Sequence, residues 1–395
     1  MSRLKTDAIR NTSASADALT FDTNGNTTIE GNTTVDGTST LTGNVTCSGN
    51  LTVSGTTTIS GYHPTTSRSN RNLIINGAMQ IAQRATSSTD VNYKTLDRWK
   101  HNHGGTDENL TYAQIDLDSN DTGPWAKGFR KAFKLTNGNQ TSGAGADDYV
   151  QVMQAIEAQN IAQSGWDYTS SSSYITISFW IKSSVAQAFA GHLRTADGTS
   201  KSYSFSTGSL SANTWTKVTK TIPGASGLQF DNNSAAGLYF YIFGFMGTNL
   251  TSTFTTESWA NASSTNYAND MTSTWWTTND ATLAITGVQL EVGDTATDYE
   301  HRSYGDELAR CQRYYYRNSG NKIVIFSDFN NSTSNFWAAI YLPVTMRAAP
   351  TATVTTVPLG SVTGSGLSVD MLSFSATSGS THFDNGTTIE ASAEL

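Results

Sequence analysis

The stretch that decides the fold lies near the N-terminus and reads Gly25-NTTIE-Gly31-NTTVD-Gly37-TSTLT-Gly43-NVTCS-Gly49-NLTVS-Gly55-TTTIS-Gly61. Glycine returns at every sixth position, and such a fixed period indicates an internal structural repeat. Thr and Ser fill most other places and favour extended backbone, while glycine permits the bend that ends a short strand. An apolar residue stands in the fifth place of each hexad: Ile29, Val35, Leu41, Cys47, Val53 and Ile59. The repeat therefore predicts a series of short strands separated by corners.

One inward apolar side chain in each hexad is too little to stabilise a lone chain. The free energy of burying it falls short of the conformational entropy lost when the hexad is ordered. An isolated stack of short strands would also leave open edges. Intertwined identical chains close those edges and bring their apolar rows together. We therefore predict a homotrimeric β shaft over residues 23–61, with the fifth-place residues as its core.

Two other structures share parts of this pattern. A left-handed β-helix of the acyltransferase kind also repeats every six residues, but its small residue directly follows the aliphatic one. Here glycine comes two places later, as in Ile29-Glu30-Gly31. A flexible Gly/Thr linker has no reason to keep a strict phase. The pattern favours the shaft over both.

Composition and charge argue against several classes of partner. The chain has 395 residues and a formal net charge of -8, from 24 Lys and Arg against 32 Asp and Glu. Nucleic-acid binding needs clustered basic side chains, so no nucleic-acid partner is expected. The longest apolar stretch, residues 238–246, is far shorter than the roughly 20 residues that cross a bilayer, so no membrane insertion is expected.

The N-terminus and the cysteines point to assembly in a cytoplasm. The N-terminus has no apolar segment of the secretory kind. Cys47 and Cys311 are too far apart in sequence to suggest a disulfide framework or a zinc site, and no cofactor or metal is expected. Residues 1–22 are short and mildly amphipathic, and we assign them to docking on a larger assembly; the alternative is a frayed terminus.

A globular β-domain is predicted to follow a linker at residues 62–71. Short strand-like runs with polar loops over residues 72–302 are typical of an antiparallel β-sandwich. Residues 150–161 fit either a helical turn or a further strand. Trp99, Trp180 and Trp215 alternate with polar residues and are predicted to lie in the core. The predicted strands are residues 73–75, 109–117, 132–135, 174–181, 201–205, 214–221, 238–245 and 282–291.

An ordered series of motifs over residues 72–316 resembles a known family. The motifs are Asn72-Leu-Ile-Ile-Asn-Gly77, Gln83-Arg84, Asp97-Arg98-Trp99, Ile177-Ser-Phe-Trp-Ile-Lys182, Trp215-Thr-Lys-Val218, Val288-Gln-Leu-Glu-Val-Gly293, Glu307-Leu308 and Cys311-Gln-Arg-Tyr314. Together they resemble the jelly-roll domain of tail fibres from many tailed bacteriophages, a family similar to sandwich-type carbohydrate-binding modules. The resemblance implies an all-β fold and adhesion of a virion to a surface.

Two charged residues stand inside these otherwise apolar motifs. Arg98 and Glu291 are therefore predicted to form a partly buried structural ion pair, with the guanidinium forked onto the carboxylate.

Three groups of residues suggest metal or catalytic chemistry only weakly. In an extended segment His101 and His103 would lie on one face, but no further ligand follows at suitable spacing. Asp116, Asp118 and Asn120 begin like a calcium loop, yet the later ligands of that loop are missing; a structural calcium stays an alternative. Asp147-Asp148 and Glu157 lack any other mark of a glycosidase cleft.

Glycan recognition needs flat aromatic faces beside amides and carboxylates. Residues 251–280 contain Trp259, Tyr267, Trp275 and Trp276 among Thr, Ser, Asn and Asp. In a strand the two adjacent tryptophans face opposite ways, so at most one of them is exposed; Trp276 is the candidate, and a core or trimer contact is the alternative for each ring. Trp259 and Tyr267 are the further candidates here.

Residues 303–395 are predicted to form a small C-terminal β-domain at the distal tip of the fibre. Residues 305–313 have helical periodicity with Leu308, Cys311 and Tyr315 on one side, and strands are predicted at 323–326, 336–342 and 352–357. Residues 343–350 resemble the closing module of the same fibre proteins. Receptor contacts belong on distal loops, so Asn330, Asn331 and Trp337 complete the set of glycan-binding candidates.

The sequence thus predicts a trimeric tail fibre that attaches a virion to its host. The expected partners are virion proteins at the N-terminus and a host glycan or outer-membrane receptor at the other end. A head fibre or capsid decoration protein is the alternative within the same class. A glycan-cleaving tailspike is the alternative among enzymes, although no enzymatic activity is expected.

Overall fold

The computed structural model describes residues 70–319, 324–326, 335–355, 362–377 and 388–395, together with three short N-terminal strands. The chain divides into two compact units, Met1–Tyr62 and His63–Leu395. The hexads after Ile29 lie outside the described residues.

The N-terminal unit contains a small antiparallel sheet, with strands β1 (Ala8–Ile9), β2 (Leu19–Phe21) and β3 (Thr27–Ile29) in that order. Ile29 lies opposite Leu19, so the strand of the first hexad pairs with β2 of its own chain. Pairing between sister chains stays a prediction for the hexads beyond β3.

Short helices are few in the described part of the second unit, and strands dominate it. A single turn of 3-10 helix spans Trp125–Lys127. The helices are α1 (Ala158–Ala162), α2 (Thr274–Thr277) and α3 (Tyr304–Gln312). The strands of the sandwich are β4 (Ser87–Ser88), β5 (Lys100–Gly104), β6 (Thr111–Asp116), β7 (Lys131–Thr136), β8 (Tyr149–Glu157), β9 (Tyr174–Ser183), β10 (Ala188–Thr195), β11 (Lys201–Ser209), β12 (Thr216–Pro223), β13 (Ala236–Met246), β14 (Trp259–Asn261) and β15 (Thr282–Val292).

Two antiparallel six-stranded sheets form the sandwich. Sheet I has the order β14-β11-β10-β13-β8-β5, and sheet II the order β12-β9-β15-β7-β6-β4. The expectation of an all-β fold is confirmed. Residues 150–161 contain both of the predicted alternatives, because β8 runs directly into α1.

One predicted strand is absent. Residues 73–75 make no ladder; instead the side-chain amide of Gln154 brackets Ile75, accepting from its N–H and donating to its carbonyl, each at 2.8 Å. A buried side chain thus satisfies the backbone groups that a neighbouring strand would otherwise pair with.

The main core lies between the two sheets, and Trp99 is fully buried in it, as predicted. Trp215 is also buried, as predicted, whereas Trp180 is an exception to the core prediction. Both pack in a smaller cluster on the outer side of sheet II, where Trp215 is buried and Trp180 is only partly buried. They lie there because the inward positions of β9 belong to residues such as Phe179 and Ile181.

The C-terminal residues form two smaller sheets in the same compact unit. The predicted helix is confirmed as α3, whose first turn is capped by Ser303: its Oγ accepts from the backbone N–H of Asp306 at 3.2 Å. The strands are β16 (Tyr315–Ser319), β17 (Val324–Phe326), β18 (Asn335–Tyr341), β19 (Thr351–Thr355), β20 (Val362–Leu367), β21 (Met371–Thr377) and β22 (Thr388–Ser392), with sheet orders β16-β22-β19 and β17-β18-β21-β20.

The predicted ion pair between Arg98 and Glu291 is wrong. Arg98, only 1% exposed, pairs with Glu394 near the C-terminus. Glu291 instead accepts from Thr297 Oγ1 at 2.6 Å and lies 3.1 Å from Nε of Arg71. The reason is topological, because Arg98 precedes a strand of sheet I whereas Glu291 belongs to sheet II.

Candidate functional site

The outer side of sheet I carries a group of tyrosines that we call the tyrosine face: Tyr93, Tyr149, Tyr239, Tyr241 and Tyr267. It arises from strand alternation in β13, where Phe240 and Ile242 enter the main core while Tyr239 and Tyr241 face the other way. Tyr241 is 7% exposed and the other four are partly exposed.

Strand register arranges the outward residues in rows across sheet I. The central row runs Lys100, Met153, Tyr241, His192 and Ser204. The flanking row on one side contains Ala155, Tyr239, Arg194 and Ser202, and that on the other contains Asn102, Gln151, Phe243 and Ala190. Aromatic rings thus occupy the middle strand β13, with an amide on β8, a guanidinium on β10 and hydroxyl groups one strand further out on β11.

The rings of the middle strand contact one another along β13. Tyr239 and Tyr241 have centroids 6.1 Å apart, and Tyr241 stacks on Phe243 at 5.7 Å. Burial raises the pKa of the Tyr241 hydroxyl. The ring therefore stays neutral and keeps its hydroxyl as a hydrogen-bond donor.

His192 fastens the loop that carries Tyr267 onto sheet I. Its ring lies 5.5 Å from Tyr267, and Ser204 Oγ donates to the carbonyl of Tyr267 at 2.9 Å. Because that bond uses the only proton of the hydroxyl, Nδ1 of His192 donates to Ser204 Oγ at 2.7 Å and Nε2 is unprotonated. Burial lowers the pKa of His192 to about 3, so the imidazole is neutral near pH 7.

Tyr93 links the tyrosine face to the C-terminus. Its hydroxyl donates to the carbonyl of Leu395 at 2.7 Å, and the guanidinium of Arg84 lies between the rings of Tyr93 and Tyr315, 5.6 and 3.5 Å from their centroids. Burial raises the pKa of Tyr93 to about 12. This end of the face is therefore held by contacts with the last residue of the chain.

A glycine makes room for Tyr149 at the other end. Gly104 of β5 lies opposite Tyr149, and a Cβ atom at Gly104 would come within 2.6 Å of the tyrosine ring. Only a residue without a side chain lets the ring lie across β5.

The arrangement suits a hydroxylated ring compound. Partly exposed aromatic rings accept the C–H side of a sugar, and the nearby groups of Asn102, Gln151 and Arg194 are able to hydrogen-bond to hydroxyls. Lys100, whose Nζ lies 6.0 Å from the Tyr93 ring, adds a cation at the edge.

Of the candidates from residues 251–280, Tyr267 lies on the tyrosine face. Trp276 is fully buried, so the prediction that it is exposed is wrong. Thr274–Thr277 is one turn of helix rather than a strand, and both adjacent tryptophans point inward; Trp276 packs 5.2 Å from Phe245 and its indole donates to the carbonyl of Gly143. Trp259 packs at the edge of the main core, 5.4 Å from Tyr203, and its indole donates to the carbonyl of Pro223.

The other predicted positions are not tested by the described contacts. Asn330 and Asn331 lie outside the described residues, and Trp337 is described only through the backbone of β18. The predicted shaft core is not tested either. The structure describes the backbone of Ile29, whereas the other positions lie outside the described residues: Val35, Leu41, Cys47, Val53 and Ile59.

The residues considered for metal or catalytic chemistry have structural partners. His101 stacks on Tyr112 at 3.9 Å and bonds the carbonyl of Asp90, and His103 bonds the Tyr112 hydroxyl. Asp118 closes a local turn by accepting from the N–H of Asn120. Glu157 accepts from the Arg313 guanidinium at 2.8 and 2.9 Å and from the hydroxyl of Tyr314 at 2.6 Å.

Sequence reasoning missed Tyr239 and Tyr241 because they lie inside the longest apolar run of the chain. The available signal was the pattern Tyr239-Phe240-Tyr241, which places two hydroxyl-bearing rings on one face of a strand.

No protein-family model and no curated protein matches the chain. Among solved structures it is similar to the enzymatically active domain of tailspike protein 4 from bacteriophage CBA120, with 14% identity, a TM-score of 0.30, and coverage of 56% of this chain and 21% of that chain. It is also similar to the xylan-binding CBM22-1 domain from Paenibacillus barcinonensis, with 9% identity, a TM-score of 0.28, and coverage of 58% and 100%. For the N-terminal cellulose-binding domain of a Cellulomonas fimi β-1,4-glucanase the values are 12% identity, TM-score 0.25, and coverage of 55% and 99%.

Among the described residues, no helix is both long and apolar enough to span a bilayer.

Proposed function

We propose that the chain is an adhesive virion fibre protein that binds host polysaccharide through the tyrosine face. The observation that carries the proposal is the arrangement of partly exposed side chains on sheet I: Tyr239 on the middle strand, the amide of Gln151 on one neighbouring strand and the guanidinium of Arg194 on the other. Exposed aromatic rings among directed polar groups are typical of sugar recognition.

The size of the face favours a polymer over a single sugar. The partly exposed polar and aromatic residues lie on four adjacent strands: Lys100 and Asn102 on β5, Gln151 on β8, Tyr239 on β13 and Arg194 on β10. Three spacings of about 4.8 Å give roughly 14 Å, which is longer than one sugar ring. A polysaccharide chain lying across the strands would contact Tyr239 near the centre, with Gln151 and Arg194 on either side.

Binding without cleavage is the expected chemistry. Glycoside hydrolysis requires two carboxyl groups that flank the scissile bond. The three rows described above carry hydroxyl, amide, imidazole and cationic groups and no carboxylate. Incubation with a bound polysaccharide should therefore release no new reducing ends, and release of reducing ends would favour the tailspike enzyme.

The fibre part of the proposal rests on the sequence. The strict hexads favour a trimer over residues 23–61, which would present three tyrosine faces on one particle. Three weak contacts then act together, because the second and third binding events become intramolecular. Residues 1–22 would attach the fibre to the virion, whether at the tail or at the head.

Binding of the full chain to immobilised bacterial polysaccharides tests the proposal. Tyr239→Ala should lower the affinity for the bound polysaccharide about tenfold, which corresponds to about 1.4 kcal/mol. Tyr304→Ala is the matched control, because Tyr304 lies on α3 and is 61% exposed. Equal affinity of the two variants would refute the tyrosine face as the binding surface.

A further inference from the structure

A cavity on the outer side of sheet II lies away from the tyrosine face. Its volume is about 400 Å³, within the range of about 300–1,000 Å³ typical of small-molecule sites. Trp180 of β9 and Lys217 of β12 form one wall, and Phe129, Asp298, Tyr299 and His301 form the others. We call it the Trp180 cavity.

The aromatic residues of the cavity are in contact with one another. Phe129, 2% exposed, makes an edge contact with Tyr299 at 4.8 Å and a tilted contact with His301 at 5.1 Å. Trp180 lies against Gly123, where a Cβ atom would come within 2.7 Å of the indole. Trp180 is nevertheless only partly buried, so part of its ring is open to a ligand.

The imidazole of His301 has a defined proton. Its Nε2 lies 2.8 Å from the carbonyl oxygen of Lys127, and a carbonyl only accepts, so Nε2 carries the proton. This leaves Nδ1 as an acceptor. Ser178 and Thr297 add hydroxyl groups to the same lining.

The charge of the cavity is positive on balance. Asp298 is matched by Lys127, whose Nζ lies 3.7 Å away. Lys217, the cross-strand partner of Trp180, makes no salt bridge with the described acidic residues. A cation therefore stands beside the open indole, in a chain whose formal net charge is -8.

We propose that the Trp180 cavity is a second saccharide site, which binds one acidic sugar residue with its ring on Trp180 and its carboxylate on Lys217. The C–H side of the sugar packs on the indole, and a hydroxyl donates to His301 Nδ1. The carboxylate accepts from the Lys217 ammonium in a charge-assisted hydrogen bond. The choice of a sugar rests on the proposed function, whereas the site does not depend on the tyrosine face.

Ligand-observed NMR on the full chain tests the cavity. The probes are glucuronate, galacturonate, mannuronate and N-acetylneuraminate, with glucose, galactose and mannose as neutral counterparts. At least one acid should bind more tightly than the neutral sugars. Absence of binding by all four acids, or equal binding of acids and neutral sugars, would overturn the proposal.

Two variants locate the binding. Lys217→Gln should weaken binding of the acid about tenfold and leave binding of neutral sugars unchanged; because Lys217 is exposed, this variant should fold normally. Trp180→Ala should abolish binding of the acid. Unchanged affinity in Lys217→Gln would refute the assignment.

A third variant separates this inference from the proposed function. Tyr239→Ala should leave binding of the acidic sugar at the wild-type level while it weakens polysaccharide binding. If polysaccharide binding survives in Tyr239→Ala but Lys217→Gln loses the acid, the tyrosine face fails and the cavity stands. Loss of the acid in Tyr239→Ala would place the acid on the tyrosine face and overturn the cavity.

Discussion

At the scale of single residues, Glu394 forms a buried ion-pair cluster with Arg84 and Arg98. Glu394 lies 3.0 Å from Nη2 of Arg84 and also binds Arg98, and the three side chains are 10% exposed or less. The guanidinium of Arg98 also lies 3.5 Å from the ring centroid of Tyr314. The penultimate residue of the chain thus neutralises a buried cation of the sandwich.

Removing this carboxylate should be costly. We expect Glu394→Ala to lower the free energy of unfolding by about 3–5 kcal/mol, because it leaves Arg98 buried without a counter-charge. Urea unfolding measures the change. The control is Glu390→Ala, which breaks the partly exposed pair with Arg317 and should cost about 1 kcal/mol or less. Equal losses of unfolding free energy in the two variants would contradict the role of Glu394 as the counter-charge of Arg98.

The neutral imidazole of His192 gives a pH dependence. Burial lowers its pKa from 6.5 to about 3, so below pH 6.5 the unfolded chain binds a proton that the folded chain does not. Stability due to this group is complete above pH 6.5 and falls toward pH 3 by about 1.4 kcal/mol per unit. The His192→Gln variant should show a shallower loss between pH 6 and 4. Parallel stability curves for variant and wild type would contradict a neutral buried imidazole.

At the scale of elements, the sequence predicted strands where apolar and β-branched residues alternate and missed them elsewhere. The run at 174–181 became β9, and 282–291 became β15. Strand β5 (KHNHG) lacks aliphatic residues and β10 (AFAGHLRT) is rich in small ones, so neither shows a local strand signal. Their pairing partners, which are distant in sequence, decide their structure.

For Trp275 and Trp276 the local signal was present but misleading. Aromatic residues favour strands, but Thr274–Thr277 forms a helical turn that buries both rings at once. Tertiary packing against Phe189 and Phe245 overrides the local preference. Of the tyrosine face, only Tyr267 was identified from the sequence, and the signal of Tyr239 and Tyr241 on one strand face was not used.

Strand β5 offers a test of how the face is built. Gly104→Ala should displace the Tyr149 ring and lower polysaccharide affinity several-fold, because the new Cβ overlaps the ring. Gly305→Ala on α3 is the control, since a methyl group at that position would meet no heavy atom within 4 Å. Binding assays measure the polysaccharide affinity of both variants. Unchanged affinity in Gly104→Ala would exclude Tyr149 from the site.

At the scale of the whole molecule, composition and strand spacing predicted the all-β architecture. They did not predict the contacts between segments that are distant in sequence. The ion pair assigned to Arg98 and Glu291 was wrong because a single sequence does not reveal that Glu394 folds back onto Arg98. The hexads, by contrast, are visible in sequence without any structure, and they carry the prediction of a trimer.

The shaft predicts the behaviour of a deletion. Removing residues 25–60 should lower the yield of trimer and its thermal resistance, because the fifth-place aliphatics then have no sister chains to meet. The sandwich should still fold, since its core lies within the unit His63–Leu395. Gel filtration and thermal melting would report both effects, and unaltered assembly would count against the shaft.

The mass of the full chain in solution tests the central claim, that the hexads join three chains into one fibre. Static light scattering should give three times the chain mass of 42.4 kDa. A mass equal to that of one chain would contradict the account.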